Sequence, residues 1–493
     1  MPSNSLLKSS NNCWRIERAD EFTILIDADD YYGAARSAMK AAKRSIFLVG
    51  WDFDASITLG HPDVEDDAPK GVGDFLQWLA KQNPGLDIRL LLWNPGFLAT
   101  WTKFSNAAYL LRWKWHSQIK VKLDSNHPLG SSHHQKILVI DDSVAFCGGI
   151  DVTTDRWDTR NHLDDNPNRK RPNGAPYGPW HDATSLCKGP AALALGDLCR
   201  LRWKLAGGEA LEAVEPHGSF PPLGGAMVFG SVSLAISRTS PAYGNSKGVT
   251  EIEKLYVDMI MSARTSIYAE SQYFASRVIA QAIARRLEEI DGPEIILINP
   301  VTADNWLGAV AMDTARARLR EAIRPHDRLG RFRIYHPITA HGTAIYVHSK
   351  LMIVDDKIMR VGSSNFNNRS MRFDNECDVA FEADDEVLAG KLLDLRNELL
   401  AEHLGVSADT VAASIDQAGS LIGAIETLRQ SRVGGEAGTS RTLVPYETPG
   451  ISGLAEWMAD NEILDPEGPE ALFEPIARRG LFRGRLKMPL LKG

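Results

Sequence analysis

Two short segments carry residues suited to chemistry on a phosphoester: His134-Gln135-Lys136-Ile137-Leu138-Val139-Ile140-Asp141 and His348-Ser349-Lys350-Leu351-Met352-Ile353-Val354-Asp355. In both, a glycine (Gly148, Gly362) follows the histidine at the same fourteen-residue step, and Asp151 or Asn365 stands ten residues beyond the aspartate. In extended chain the imidazole and ammonium of His-x-Lys share one face, because strand side chains alternate sides. The apolar run after each lysine fits a buried strand that would hold the pair rigidly. One such match is unremarkable, but two in a chain of this length arise by chance with a probability on the order of 0.001.

A phosphodiester is anionic, so attacking it takes cations or donors on the non-bridging oxygens, a nucleophile in line and an acid for the leaving oxygen. The paired motifs supply all three. Lys136 and Lys350, assisted by Asn365, would hold the phosphoryl oxygens while one histidine attacks and the other protonates the departing alkoxide, through a phosphohistidine. Asp141 and Asp355, five residues past the lysines at a strand end, read instead as structural hydrogen-bond acceptors, as does Asp151.

The elements that must position these motifs also repeat. Ala42-Lys43-Arg44-Ser45-Ile46-Phe47 matches Ala263-Arg264-Thr265-Ser266-Ile267-Tyr268, each a helical pattern running into an apolar strand. The next strands, Ile88–Pro95 and Glu294–Pro300, share an Asn-Pro exit, and Ile119–Leu123 pairs with Phe332–Tyr335. Strands alternating with helices imply an α/β fold of two similar halves with largely covered sheets. The expected division is 1–217, a Gly/Pro linker at 218–225, a second half at 226–405 and a tail at 406–493.

Composition narrows the classes. With 44% hydrophobic and 24% charged residues the chain is globular, and no apolar run is long enough to span a bilayer. The polar N-terminus lacks the pattern of a secretory leader, so the expected location is cytoplasmic, with peripheral membrane contact as an option. Five scattered cysteines suit buried free thiols rather than disulfides or a zinc site. A net charge of −8 disfavours nonspecific coating of nucleic acid.

The paired His-Lys-Asp motifs resemble those of the phospholipase D superfamily, over about residues 20 to 405. The resemblance implies two pseudo-twofold-related domains, each a mixed β-sheet flanked by helices, with one active site at their interface. It also implies a two-step ping-pong displacement that needs no metal or other cofactor, for which one monomer suffices. By the same resemblance His134 is the nucleophile and His348 the acid and then base, oriented by acidic residues at the places of Asp182 and Glu376.

Gly148-Gly149-Ile150-Asp151, Arg156-Trp157-Asp158, Pro179-Trp180-His181-Asp182 and Glu270-Ser271-Gln272-Tyr273-Phe274 look like segments of the larger phospholipases D. They point to a phospholipase D that releases the head group of phosphatidylcholine or phosphatidylethanolamine at a membrane surface, with water or a primary alcohol as acceptor. No nucleic-acid partner is expected. The alternatives are a metal-independent nuclease or other non-lipid phosphodiesterase, a cardiolipin-type phosphatidyltransferase, and a lipid-binding scaffold without activity. Two basic runs stand apart. Arg169-Lys170-Arg171 reads as a solvated loop or one lying over the site, and Arg478–Lys492 as a tail suited to an anionic lipid surface or to solvent.

Overall fold

The computed structural model describes residues 5–94, 104–215, 220, 227–303, 312–433, 441–448 and 465–466. The first half runs β1 (Arg15–Ile26), α1 (Asp27–Ala41), β2 (Ser45–Gly50), α2 (Val72–Gln82), β3 (Asp87–Trp93) and α3 (Phe104–Trp113). It continues with β4 (Ile119–Asp124), β5 (Ile137–Ile140), β6 (Val144–Gly148), β7 (Trp180–His181), β8 (Ala183–Lys188) and α4 (Pro190–Leu205). The second half opens with β9 (Met227–Ser240), β10 (Val249–Thr250), α5 (Glu251–Ser262), β11 (Ser266–Glu270), α6 (Arg277–Glu288), β12 (Glu294–Ile298) and α7 (Thr314–Ile323). There follow β13 (Phe332–Ile338), β14 (Tyr346–Val347), β15 (Leu351–Val354), β16 (Ile358–Gly362), β17 (Glu376–Glu382) and α8 (Glu386–Leu404). Then come α9 (Ala408–Ala418), α10 (Leu421–Val433) and β18 (Thr442–Pro445).

The fold is α/β with two like halves, and their sheets are joined. Among the described residues sixteen strands form one sheet, whose main path is β18-β13-β12-β11-β15-β16-β17-β9-β1-β8-β6-β5-β2-β3-β4. The joint is the antiparallel pairing of β1 with β9, and outward from it β8, β6, β5, β2, β3, β4 correspond one for one to β17, β16, β15, β11, β12, β13. The strands β2-β3-β4 and β11-β12-β13 are parallel, the inner strands of each half are antiparallel, and β18 adds antiparallel at the edge beside β13. The inner parallel strands β2, β3, β11 and β12 are near-continuous buried runs such as Ser45–Gly50 because both faces are covered. A core shared by both halves packs α4 and α8 against one face of the sheet, while α1 and α2 cover the other face in the first half and α5 to α7 in the second. The five cysteines are buried and free.

The duplicated Asp-Asp at each motif's end explains how each motif is pinned within its own half. Asp141, Asp142, Asp355 and Asp356 all have φ between +47° and +53°, a left-handed conformation that aspartate tolerates better than most residues. Asp141 accepts the backbone N–H groups of Lys43, Arg44 and Ser45 at 2.7–2.8 Å, and Asp355 those of Arg264, Thr265 and Ser266 at 2.7–2.9 Å. The second aspartate of each pair reaches the long helix behind its sheet, Asp142 to Arg200 of α4 at 2.7 Å and Asp356 to Arg396 of α8 at 2.6 Å. Each motif hairpin is thereby fixed to the start of the innermost parallel strand, β2 or β11, and to the helix behind it. Asp141→Ala should destabilise the chain by about 3 kcal/mol, since its three donors lose their buried acceptor. The less buried Asp355→Ala should cost less, and equal urea midpoints for the two variants would contradict this.

Three expectations need adjustment. The His-x-Lys segments are extended but precede β5 and β15 rather than lying in them, because their backbone pairs elsewhere. Residues from 406 onward do not begin a detached tail: Val411, Leu421 and Ile425 enter the shared core and β18 adds to β13. Arg169 is no solvated loop cation, being buried against Asp158 at 3.0 Å, while Arg171 pairs with Asp155 at 2.8 Å. Most of the 218–225 linker and the whole basic segment 478–492 lie outside the described residues. Among those described, no helix is long and apolar enough to cross a membrane.

Candidate active site

Each His-x-Lys segment is clamped by backbone of the opposite half. His134 N donates to Asn375 O at 2.8 Å and Asn375 N to Ser132 O at 2.8 Å, while His348 N donates to His181 O at 2.8 Å and β14 pairs in parallel with β7. The side chains cross in the same way. His134 Nδ1 lies 3.1 Å from Glu376 Oε2, and His348 Nδ1 lies 2.6 Å from Asp182 Oδ2. Each histidine thus takes its carboxylate from the other half, so neither half alone holds an oriented imidazole. With Nδ1 engaged, Nε2 is the nitrogen left for chemistry.

The carboxylates are themselves held. Glu376 also accepts from the hydroxyls of Ser363 and Ser370, and Asp182 accepts Ala183 N at 2.8 Å. Gly149 makes room for Asp182: a Cβ there would stand 2.2 Å from its Oδ1.

The lysines are not equivalent. Lys136 Nζ pairs with Asp151 Oδ2 at 3.1 Å and donates to His134 O at 2.9 Å, so Asp151 belongs to the site as a counter-charge as well as to the scaffold, where it accepts Trp51 N. Lys350 donates to His348 O, and where Asp151 stands in the first copy it has the neutral Asn365, buried, with an Oδ1 that meets no partner among the described residues. The second motif therefore keeps the less compensated cation.

The electrostatics follow from that packing. Burial, and then the nearby ammonium groups, hold both imidazoles well below the usual histidine value, so both are neutral at pH 7. Burial first, and Lys136 and Arg156 after it, pull Lys350 down to about 7 against the attraction of Asp182 and Glu376. Burial pushes Glu376 up to about 7, and Asp182 is raised for the same reason. The mutual influence of His134, Lys136, His348 and Lys350 marks them as one cluster, positive and starved of water, as an anion site should be.

Aromatic pairs flank each histidine. Trp51 stacks on Trp93 with centroids 5.7 Å apart and lies 6.0 Å from the His134 ring, while Trp180 stacks on Tyr346 at 4.5 Å and lies 5.2 Å from His348. The Arg156 guanidinium sits 4.3 Å over Trp180, within the field of both Lys350 and His348. Arg156, Ser363, Ser370 and the tryptophans were not among the sequence-derived candidates. Arg156 and Trp180 lie in segments that stood out in the sequence, and Ser363 and Ser370 lie in the run around Asn365 that follows the second motif.

A family model described as "Phospholipase D" matches residues 38–217, and one described as "Cardiolipin synthase, PLD-like domain" matches 256–393. Phospholipase D A of Dictyostelium discoideum is 26% identical over 80% of this chain and 36% of its own length. Phospholipase D alpha 2 of Oryza sativa subsp. japonica is 25% identical over 76% of this chain and 63% of its own. The chain thus spans from about a third to under two thirds of these relatives. The solved phosphatidylserine synthase of Haemophilus influenzae Rd KW20 shares the fold, with a TM-score of 0.51 at 14% identity, over 78% of this chain and 88% of that one. A matching phospholipase D-type model in each half agrees with the doubled motif and the doubled sheet: the chain belongs to the phospholipase D superfamily.

Proposed function

We propose that the protein is a phospholipase D that cleaves phosphatidylcholine or phosphatidylethanolamine to phosphatidate and free head group. The observation that carries this reading is the crossed pair of histidine–carboxylate contacts around two buried lysines. His134 Nε2 attacks phosphorus as the bond to the head-group oxygen breaks, and that oxygen takes a proton from His348 Nε2. Water or a primary alcohol then gives its proton to His348 and attacks phosphorus, and the N–P bond to His134 breaks. Lys136, Lys350 and Asn365 hold the non-bridging oxygens, and Arg156 adds a cation on the His348 side. The bound anion offsets the lysine charges, which lets His348 carry its proton.

Aromatic faces beside both histidines support a lipid with a cationic head group, since an ammonium is attracted to such faces. Trp115 and Leu129, 82% and 84% exposed between α3 and the first motif, supply apolar side chains for contact with a lipid surface. The test offers the purified protein a panel of phospholipid vesicles and, separately, single-stranded nucleic acid. Choline or ethanolamine release is expected; nucleic-acid cleavage without lipid turnover would instead favour the nuclease reading.

The site's electrostatics set its pH profile. A Lys350 near 7 in the free enzyme loses its charge as pH rises, so the fall of kcat/KM with pH, begun by loss of the His348 proton, should steepen through about pH 7. In the complex the phosphodiester anion stabilises the ammonium, and the basic limb of kcat should lie at higher pH. Coincident basic limbs for the two parameters would contradict this assignment.

A further inference from the structure

Behind Asp182 lies a second cluster that phosphoryl transfer does not use. Asp27 at the start of α1, His162 in the loop 149–179, His181 on β7 and Glu402 in the last turn of α8 meet there, none more than 4% exposed. His162 Nε2 is 3.1 Å from Glu402 Oε1 and 3.5 Å from Asp27 Oδ2. His181 Nδ1 is 2.8 Å from the same Glu402 oxygen and 3.4 Å from Asp27 Oδ1. Despite this closeness, Asp27 Oδ2 and His181 Nδ1 make no hydrogen bond among the described residues. Two buried polar atoms that crowd potential partners without bonding to them are costly, unless something between them accepts their lone pairs.

The spacing is that of ligands around one ion. Tetrahedral zinc with bonds of about 2.0 Å separates its ligand atoms by about 3.3 Å, and the donor atoms of all four residues lie within 4.8 Å of one another. The far nitrogens are occupied as ligating imidazoles require: His162 Nδ1 meets Asp158 Oδ2 at 3.0 Å and His181 Nε2 meets Glu270 Oε2 at 3.0 Å. Those carboxylates are in turn fixed, Asp158 by Arg169 and Glu270 by Ser349, Tyr268 and His403, while Arg160 holds the other oxygen of Glu402 at 2.6 Å.

We infer that Asp27 Oδ2, His162 Nε2, His181 Nδ1 and Glu402 Oε1 form a closed site for one divalent cation of the zinc class. Two imidazoles favour such an ion over magnesium or calcium, and a set filled by four protein ligands is structural rather than catalytic. The ion clips three segments of the first half to α8 of the second. It also braces the active site at one remove, because Asp27 Oδ1 accepts Asp182 N at 3.0 Å and Asp27 N donates to Asp182 O at 2.8 Å. This goes beyond the sequence expectation of no metal, and no step of the proposed reaction passes through it.

The test is metal analysis of the full chain, produced with zinc supplied and passed through a chelating resin. About one zinc per chain is expected, with an anomalous difference peak at the zinc edge among the four side chains of a crystal. Glu402→Gln and His162→Ala should each lower the zinc content and the thermal midpoint. A folded wild-type chain with less than about 0.1 equivalent of any transition metal, or a peak elsewhere, would overturn the inference. The wild-type content and the map decide even where a variant fails to fold, and neither depends on catalytic activity.

Discussion

His348→Asn, offered a phosphodiester with a nitrophenolate leaving group, should release about one equivalent of nitrophenol and then stall with the phosphoryl group on His134. Such a leaving group needs no acid, so the first displacement survives. The second needs a base for water, and asparagine cannot serve. On a natural phospholipid, whose alkoxide must be protonated, turnover should drop by at least about 10³. His134→Asn should give neither burst nor adduct. Intact-protein mass spectrometry reads the outcome, and a burst kept by His134→Asn but lost in His348→Asn would reverse the roles of the two histidines.

Glu376→Gln should lower kcat by about 10²–10⁴ while KM moves by less than about threefold. In the proposed mechanism the carboxylate, 3.1 Å from His134 Nδ1, holds the ring proton there and leaves Nε2 free to attack. An amide of the same size can turn its NH2 toward Nδ1 and force the tautomer whose Nε2 bears the proton. Asp182→Asn should do the same to His348, whose Nδ1 is held at 2.6 Å. Both variants should keep the wild-type circular dichroism, because the hydroxyl of Ser370 and the N–H of Ala183 still find an oxygen, and the hydroxyl of Ser363 can accept from the new amide while donating to Cys377 O. Activity within about twofold of wild type in Glu376→Gln would remove that residue from the mechanism.

How much was readable in advance follows from how local each feature is. His134, Lys136, His348 and Lys350 stood out because two-residue spacing and a buried strand repeat in both copies, and the matched strands from Ile46 and Ile267 onward did so for the same reason. Asp182 and Glu376 came from the family resemblance, but the crossing did not: it depends on Asn375 pairing with His134 and on β7 pairing with β14 across the halves. The joint of the sheet was missed because β1 and β9 lie upstream of the repeated segments. The alternation Ser231-Val232-Ser233-Leu234 along β9 was a usable signal. Asp27, His162 and Glu402 sit in unrelated stretches of chain and converge only once α8 packs, so no spacing in the sequence could have joined them.

The most direct test of the central claim, one covalent intermediate formed at a site shared by both halves, is product partition in the presence of ethanol. Whatever the head group, the same phosphatidyl-His134 species would meet water or ethanol. The ratio of phosphatidylethanol to phosphatidate should therefore be identical from phosphatidylcholine and from phosphatidylethanolamine at a given alcohol concentration. A ratio that changes with the departing head group, or head-group release with no phosphatidylethanol at any alcohol concentration, would contradict it.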